Sequence, residues 1–191
     1  MFNLTYLVGY SQTKFELCAI PYENAIHEYL ANKDSLALKN KLDSSQIVWK
    51  NCICSQRIPE IQLNTIKNSI IKIDTNTVYV FQFWASWCPP CMAEIPIINQ
   101  LYDEYNSKNV KFLTFAYNKI VEKENVLKFK NDLIQNTSIL SKELGVLAFP
   151  TIFIISKKLE IKKVFMGASV EENFKLYSSL KEYIEIEINR Q

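Results

Sequence analysis

A largely apolar run from Val78 to Phe83 leads straight into Trp84-Ala85-Ser86-Trp87-Cys88-Pro89-Pro90-Cys91, and a helix-like run, Met92 to Leu101, follows at once. This order constrains the fold more than any other feature of the chain. A short apolar strand of this kind is buried in the centre of a sheet, and two cysteines spaced by two residues fall where it gives way to a helix. Cys88 is thereby placed at the first helical turn, where unpaired backbone N–H groups and the helix dipole stabilise a thiolate. Cys91, one turn later, lies within reach to close a small disulfide ring. The pattern predicts a reversible dithiol/disulfide couple, with Cys88 as nucleophile and Cys91 as resolving thiol.

Half of a zinc site is the structural alternative for such a pair. Zinc wants a second Cys/His pair at suitable spacing. Cys52-x-Cys54 is too closely spaced for the usual knuckle, and Pro89 and Pro90 remove N–H donors that would shape one. A haem attachment needs His after the second cysteine, where Met92 stands. Redox use is therefore expected, with no metal and no cofactor beyond the Cys88-Cys91 pair.

The elements around the motif alternate. Ile61 to Thr65 and Ser69 to Ile73 read as two short strands, and Pro89 to Ser107 as a helix that Pro96 is expected to kink. Val110 to Ala116 is the next buried strand. Lys123 to Asn131 and Ser138 to Leu144 read as amphipathic helices, Thr151 to Ile155 and Ile161 to Phe165 as a hairpin about Lys157-Lys158, and Glu171 to Ile188 as a closing helix. This order predicts an α/β fold, a central mixed sheet flanked by helices on both faces.

Residues 1–54 differ in character and are read as an N-terminal extension to a domain at 55–191. Ala25, Ile26, Tyr29 and Leu30 share one helical face that Leu38 and Leu42 extend, with Pro21 placed near the start. Ile47-Val48-Trp49 reads as a short strand. The segment Phe2 to Gln12 has the length of a signal-peptide core but lacks a basic n-region, so a strand or an upstream start is favoured over an intact signal. No apolar run reaches the roughly 18–20 residues that span a bilayer.

With 191 residues, 48% of them apolar, the chain is long enough to bury one sizeable core. A net charge of +2, with lysines and acids interspersed, gives no reason to expect nucleic acid as a partner. Of the five cysteines, Cys18, Cys52 and Cys54 lie outside the motif. Cys52 and Cys54 either pair with Cys18 in an oxidising compartment or form a second exchange site feeding Cys88-Cys91, and the structural or inert reading ranks first. The single histidine, His27, reads as a surface residue, which weakens a copper-carrier reading.

The run Trp84 to Pro96 resembles the active site of thioredoxin-fold proteins, and more narrowly the thiol–disulfide oxidoreductases of the TlpA/ResA type. Gly145-Val146-Leu147-Ala148-Phe149-Pro150-Thr151 resembles that family's cis-proline segment, and Gly167-Ala168-Ser169 also suits it. The likeness covers roughly residues 55–189. It implies a thioredoxin-like fold in which Pro150 lies beside the Cys88 sulfur, and a substrate groove formed by Trp87, Pro89, Pro90, Phe149 and Pro150. It also implies protein disulfide or dithiol substrates, a membrane or soluble thiol reductant, and a reductase in the periplasm or cell envelope, with the cytoplasm as alternative.

The chain departs from that pattern in three places. Gln82 stands where thioredoxins often carry a buried acid, and Pro89-Pro90 leaves no acid between the cysteines. Glu94 is expected to face solvent or to cap locally. The spacing from Val126 to Pro150 is short, so one strand is expected to be missing or reduced to Leu133-Ile134. Three competing readings remain: a binding module or chaperone without redox turnover, a thiol peroxidase, and a metal carrier.

Overall fold

The computed structural model describes residues 14–33, 35–118, 121–135, 137–167 and 173–190. In chain order the elements are α1 (Lys14–Ala31), α2 (Leu36–Ile53), β1 (Gln62–Asn64), β2 (Ile70–Lys72), β3 (Val78–Trp84), α3 (Pro89–Tyr105) and β4 (Val110–Ala116). There follow α4 (Lys123–Val126), β5 (Asp132–Ile134), α5 (Ser138–Glu143), β6 (Thr151–Ile155), β7 (Ile161–Met166) and α6 (Asn173–Asn189). Strands β1 and β2 form a separate antiparallel pair, and the other five form one sheet in the order β5-β4-β3-β6-β7. In it β3, β4 and β5 run parallel, while β6 is antiparallel to both β3 and β7. This is the expected mixed sheet with helices on both faces.

Every residue of the central strand β3 is buried, and its side chains divide by period two between the faces. Val78 and Val80 meet Ile98 and Leu101 of α3 and Leu180 and Ile184 of α6. Tyr79, Phe81 and Phe83 point the other way, into a cluster with Phe115, Phe153 and residues of the first two helices, Phe15, Tyr22, Trp49 and Ile53. The α1–α2 pair thus helps cover one whole face of the sheet.

Two contacts fix that cover. Trp49 Nε1 donates to the Gly145 carbonyl at 2.8 Å. Gly145 has φ +68°, and a Cβ there would lie 2.8 Å from the Phe15 carbonyl oxygen, so glycine is required both for the turn and for the approach of α1. A Cys18–Cys52 disulfide joins α1 to the end of α2 across a sequence separation of 34, leaving Cys54 as the free thiol. By loop closure a bridge of that span contributes about 3–4 kcal/mol.

Several expectations are corrected. Ile47-Val48-Trp49 is not a strand but lies within α2, whose N-cap Ser35 accepts from the Leu38 N–H at 3.3 Å. Its inward stripe is Leu42, Gln46, Trp49 and Ile53 at helical spacing, leaving Ile47 and Val48 exposed. Pro21 lies inside α1, at an exposed position, and not at its start. The helix expected over 123–131 stops at Val126. Asn99 of α3 clamps the chain beyond it, donating to the Lys128 carbonyl at 2.7 Å and accepting from the Lys130 N–H at 3.0 Å. This clamp turns the chain into β5, the expected reduced strand. The segment 2–12 and residues Ala168 and Ser169 lie outside the described residues.

Candidate active site

The end of β3 and the start of α3 hold the cysteine pair. Cys88 is the N-cap of α3, in extended conformation, and Pro89 and Pro90 occupy the first helical positions, where a missing N–H costs nothing. The Cys91 N–H donates to Cys88 Sγ at 3.3 Å. The helix terminus therefore directs the Cys91 N–H at the first sulfur, which lowers the energy of a thiolate there. Cys88 and Cys91 form a disulfide with a Cα–Cα distance of 5.3 Å. Cys88 is 4% exposed and Cys91 fully buried, so the first cysteine is the more accessible of the two.

The loop carrying the motif is pinned at its base. Ser86 N–H donates to Asn118 Oδ1 at 2.8 Å, Tyr117 N–H to the Trp84 carbonyl at 3.0 Å and Cys88 N–H to the Ala85 carbonyl at 3.1 Å. Trp84 is buried and packs on Phe129 at 4.8 Å between ring centroids. Trp87, by contrast, is 63% exposed.

The second motif comes to the same edge from β6. The Phe149–Pro150 peptide is cis, Thr151 Oγ1 donates to the Ala148 carbonyl at 2.7 Å, and the Pro150 carbonyl accepts from Gly167 N–H at 3.0 Å. Phe149 meets Trp87 edge-on at 6.1 Å and Tyr117 at 5.2 Å. Trp87 and Phe149 are thus brought together beside the cysteines, with Pro89 and Pro90 exposed and Pro150 buried. Tyr117 joins this aromatic rim from the end of β4, a neighbour that linear spacing does not reveal.

Glu94 is the main correction at the site. It does not face solvent: it is 2% exposed, one helical turn beyond Cys91 on the inward stripe of α3. Burial raises its carboxyl from 4.5 to about 7, and the Gln82 amide opposes the shift. A titratable acid therefore lies buried one helical turn beyond Cys91, carried by the helix in place of the strand. Outside this site, Cys54 is half-buried, and burial raises its thiol above the ordinary value. Among the described residues no group of three or more side chains is placed to hold a metal ion.

Fold and site together define a thioredoxin-like protein built around a Cys-x-x-Cys disulfide. The sequence profile of the Redoxin family matches residues 55–180, and the chain belongs to that family. It is 33% identical over 105 residues to the sporulation thiol-disulfide oxidoreductase A of Bacillus subtilis, a match covering 50% of this chain and 63% of that relative. It is 34% identical over 100 residues to the thiol-disulfide oxidoreductase ResA of Geobacillus thermodenitrificans, covering 49% of this chain and 56% of the relative. The match thus spans less than two thirds of each relative's length. The crystal structure of StoA from Bacillus subtilis superposes with a TM-score of 0.51 at 27% identity, over 64% of this chain and 99% of that one. A thioredoxin-family thiol:disulfide interchange protein from Chlorobium tepidum superposes with a TM-score of 0.58 at 19% identity, over 71% of this chain and 97% of that one, a likeness of fold alone.

Proposed function

We propose that the chain is a protein thiol–disulfide oxidoreductase that works through Cys88 and Cys91, as a reductant of protein disulfides in the cell envelope. The observation that carries the reading is the disulfide at the α3 terminus, its more accessible sulfur capped by the helix and its second cysteine buried one helical turn before a titratable acid. In the reduced protein the Cys88 thiolate attacks one sulfur of a substrate disulfide. A Cys88–substrate bond forms, the substrate S–S bond breaks, and one substrate thiolate leaves.

Cys91 then loses its proton to the Glu94 carboxylate and attacks Cys88 Sγ. The second substrate thiolate leaves, Cys88–Cys91 closes, and two electrons have passed from the protein to the substrate. A thiol reductant, membrane-bound or soluble, must return them. The aromatic rim of Trp87, Tyr117 and Phe149, with Pro89, Pro90 and Pro150, supplies the surface on which the polypeptide flanking the substrate disulfide rests.

The names of the relatives support the exchange chemistry, and the Cys18–Cys52 bridge suits an oxidising compartment. Among the described residues no helix is long and apolar enough to cross a membrane. The test is trapping. Reduced Cys91→Ser protein mixed with insulin is expected to accumulate a mixed disulfide through Cys88, visible on a non-reducing gel and located by peptide mass. No adduct, or an adduct through Cys54, contradicts the reading.

A further inference from the structure

A groove of about 340 Å³ opens between α1 and α5, lined by Glu16, Ala19, Ile20, Glu23, Lys142 and Leu147. That volume lies at the small end of ligand sites, roughly 300–1,000 Å³, and suits a few side chains of a polypeptide. Helical spacing builds the α1 wall, because Glu16, Ala19, Ile20 and Glu23 follow the i, i+3, i+4, i+7 pattern of one stripe. Phe15, Cys18 and Tyr22, on the adjoining stripe, pack into the sheet core. Gly145, which has no Cβ to meet the Phe15 carbonyl, lets α1 come against the start of the opposite wall. On that wall α5 contributes Lys142, and Leu147 stands in the segment that runs to the cis Phe149–Pro150 peptide.

The groove adjoins the aromatic rim. Leu147 is two residues from Phe149, so their Cα atoms lie within about 7 Å of each other. Among the described residues the backbone N–H groups of Leu147, Ala148 and Phe149 have no hydrogen-bond partner. A polypeptide seated on Phe149 meets those donors on its way into the groove, as an added strand does at an open edge. The charge of the groove narrows the choice of polypeptide. Glu16 and Glu23 stand about 10 Å apart along the helix axis, with Lys142 as the single cation of the lining. On α5, burial and then the Glu16 charge raise the carboxyl of Glu143, so a further acid lies within the field of this wall. Among the described residues neither Glu23 nor Lys142 forms an ion pair. Acids thus flank an apolar floor of Ala19, Ile20 and Leu147, of which Ile20 is 38% exposed.

We propose that the α1–α5 groove is a subsite for protein substrates: it receives the polypeptide flanking the substrate disulfide, an apolar side chain resting on Ile20 and Leu147 and basic residues on Glu16 and Glu23. The subsite rests on the exchange reading above. It gives the first helix a task beyond covering the sheet, which is to select among substrates by the charge beside their cysteines.

The experiment is an NMR titration of the oxidised full chain with two synthetic peptides that differ only in charge. Each carries serine in place of the cysteine and, on both sides of it, a leucine between two lysines or between two glutamates. Binding is read from the Ile20 and Leu147 methyl signals and the Trp87 indole. The lysine peptide is expected to bind about tenfold more tightly at low salt, since it gains exposed ion pairs where the glutamate peptide meets like charges. All three signals should move together. Glu23→Lys is expected to erase most of the preference, and Lys142→Glu to widen it by about threefold. Equal affinities in the wild type, a preference that Glu23→Lys leaves intact, or movement of Trp87 without Ile20 and Leu147 overturns the proposal. Methyl shifts that follow the protein concentration and not the peptide, the mark of a second copy in the groove, overturn it as well. No disulfide exchanges in this titration. Selective binding by a protein that reduces no disulfide therefore upholds the groove as a polypeptide site and overturns the exchange reading, whereas a mixed disulfide trapped at Cys88 without selective binding does the reverse.

Discussion

Replacing Cys88 with serine is expected to lower disulfide-reductase turnover by about a thousandfold or more. Cys88 is the sulfur that the α3 terminus caps and the one with access to solvent, whereas Cys91 is fully buried. A serine hydroxyl at that position is a far weaker nucleophile than a thiolate, and the helix terminus cannot make up the difference. The decisive comparison is Cys54→Ser in the same insulin-reduction assay. Cys54 is half-buried with its thiol raised by burial, so at neutral pH it is mostly protonated and unreactive, and turnover is expected to persist. Turnover that survives Cys88→Ser and disappears with Cys54→Ser would reverse the assignment.

The second large effect is expected from Glu94→Gln, in two opposite directions. For exchange, the wild-type acid acts as base above about 7, where its carboxylate is the populated form. The resolving step is therefore expected to accelerate as pH rises through that value and then to level off. Glutamine accepts no proton, so the step slows by roughly a hundredfold at pH 8 and the limb near 7 disappears. For stability the sign is reversed. Between 4.5 and about 7 the folded chain keeps a proton that the unfolded chain has released, so wild-type stability falls as pH rises through that window. At pH 8 the variant is expected to be more stable, by an amount on the order of 3 kcal/mol for full burial of the carboxylate. Urea unfolding at pH 5 and pH 8 measures it: the two proteins should differ little at the lower pH and diverge at the higher. A slower and also less stable variant would mean that Glu94 serves packing and not proton transfer.

The strand–motif–helix unit was legible because its signals are local. A short apolar run reads as a central strand, and a cysteine spacing of two residues at a helix start has few physical uses. Glu94 was misread although a signal for it existed. Cys91, Glu94, Ile95, Ile98, Leu101 and Tyr105 are all buried residues of α3, and their spacing is one helical stripe. Charge argued for the surface while periodicity argued for the interior, and periodicity prevailed because the site accommodates a protonated acid. In α2, adjacent β-branched residues Ile47 and Val48 suggested a strand, yet the inward stripe of Leu42, Gln46, Trp49 and Ile53 is helical. The partner of Cys18 was not legible, since it depends on how two helices align end to end. Nor was the contact of Thr114 with Gln82, for each is a lone polar residue in its own strand and only sheet register brings the two opposite one another.

The central claim is that Cys88–Cys91 is a working couple and not a structural staple. The most direct measurement is its equilibrium with graded ratios of reduced and oxidised dithiothreitol or glutathione. The state of this pair is read by alkylation and peptide mass, so that Cys18–Cys52 is scored separately. The account predicts a single two-electron transition between roughly −270 and −120 mV, the range of exchanging dithiols. A pair that stays oxidised to below about −300 mV, as structural disulfides do, would contradict it.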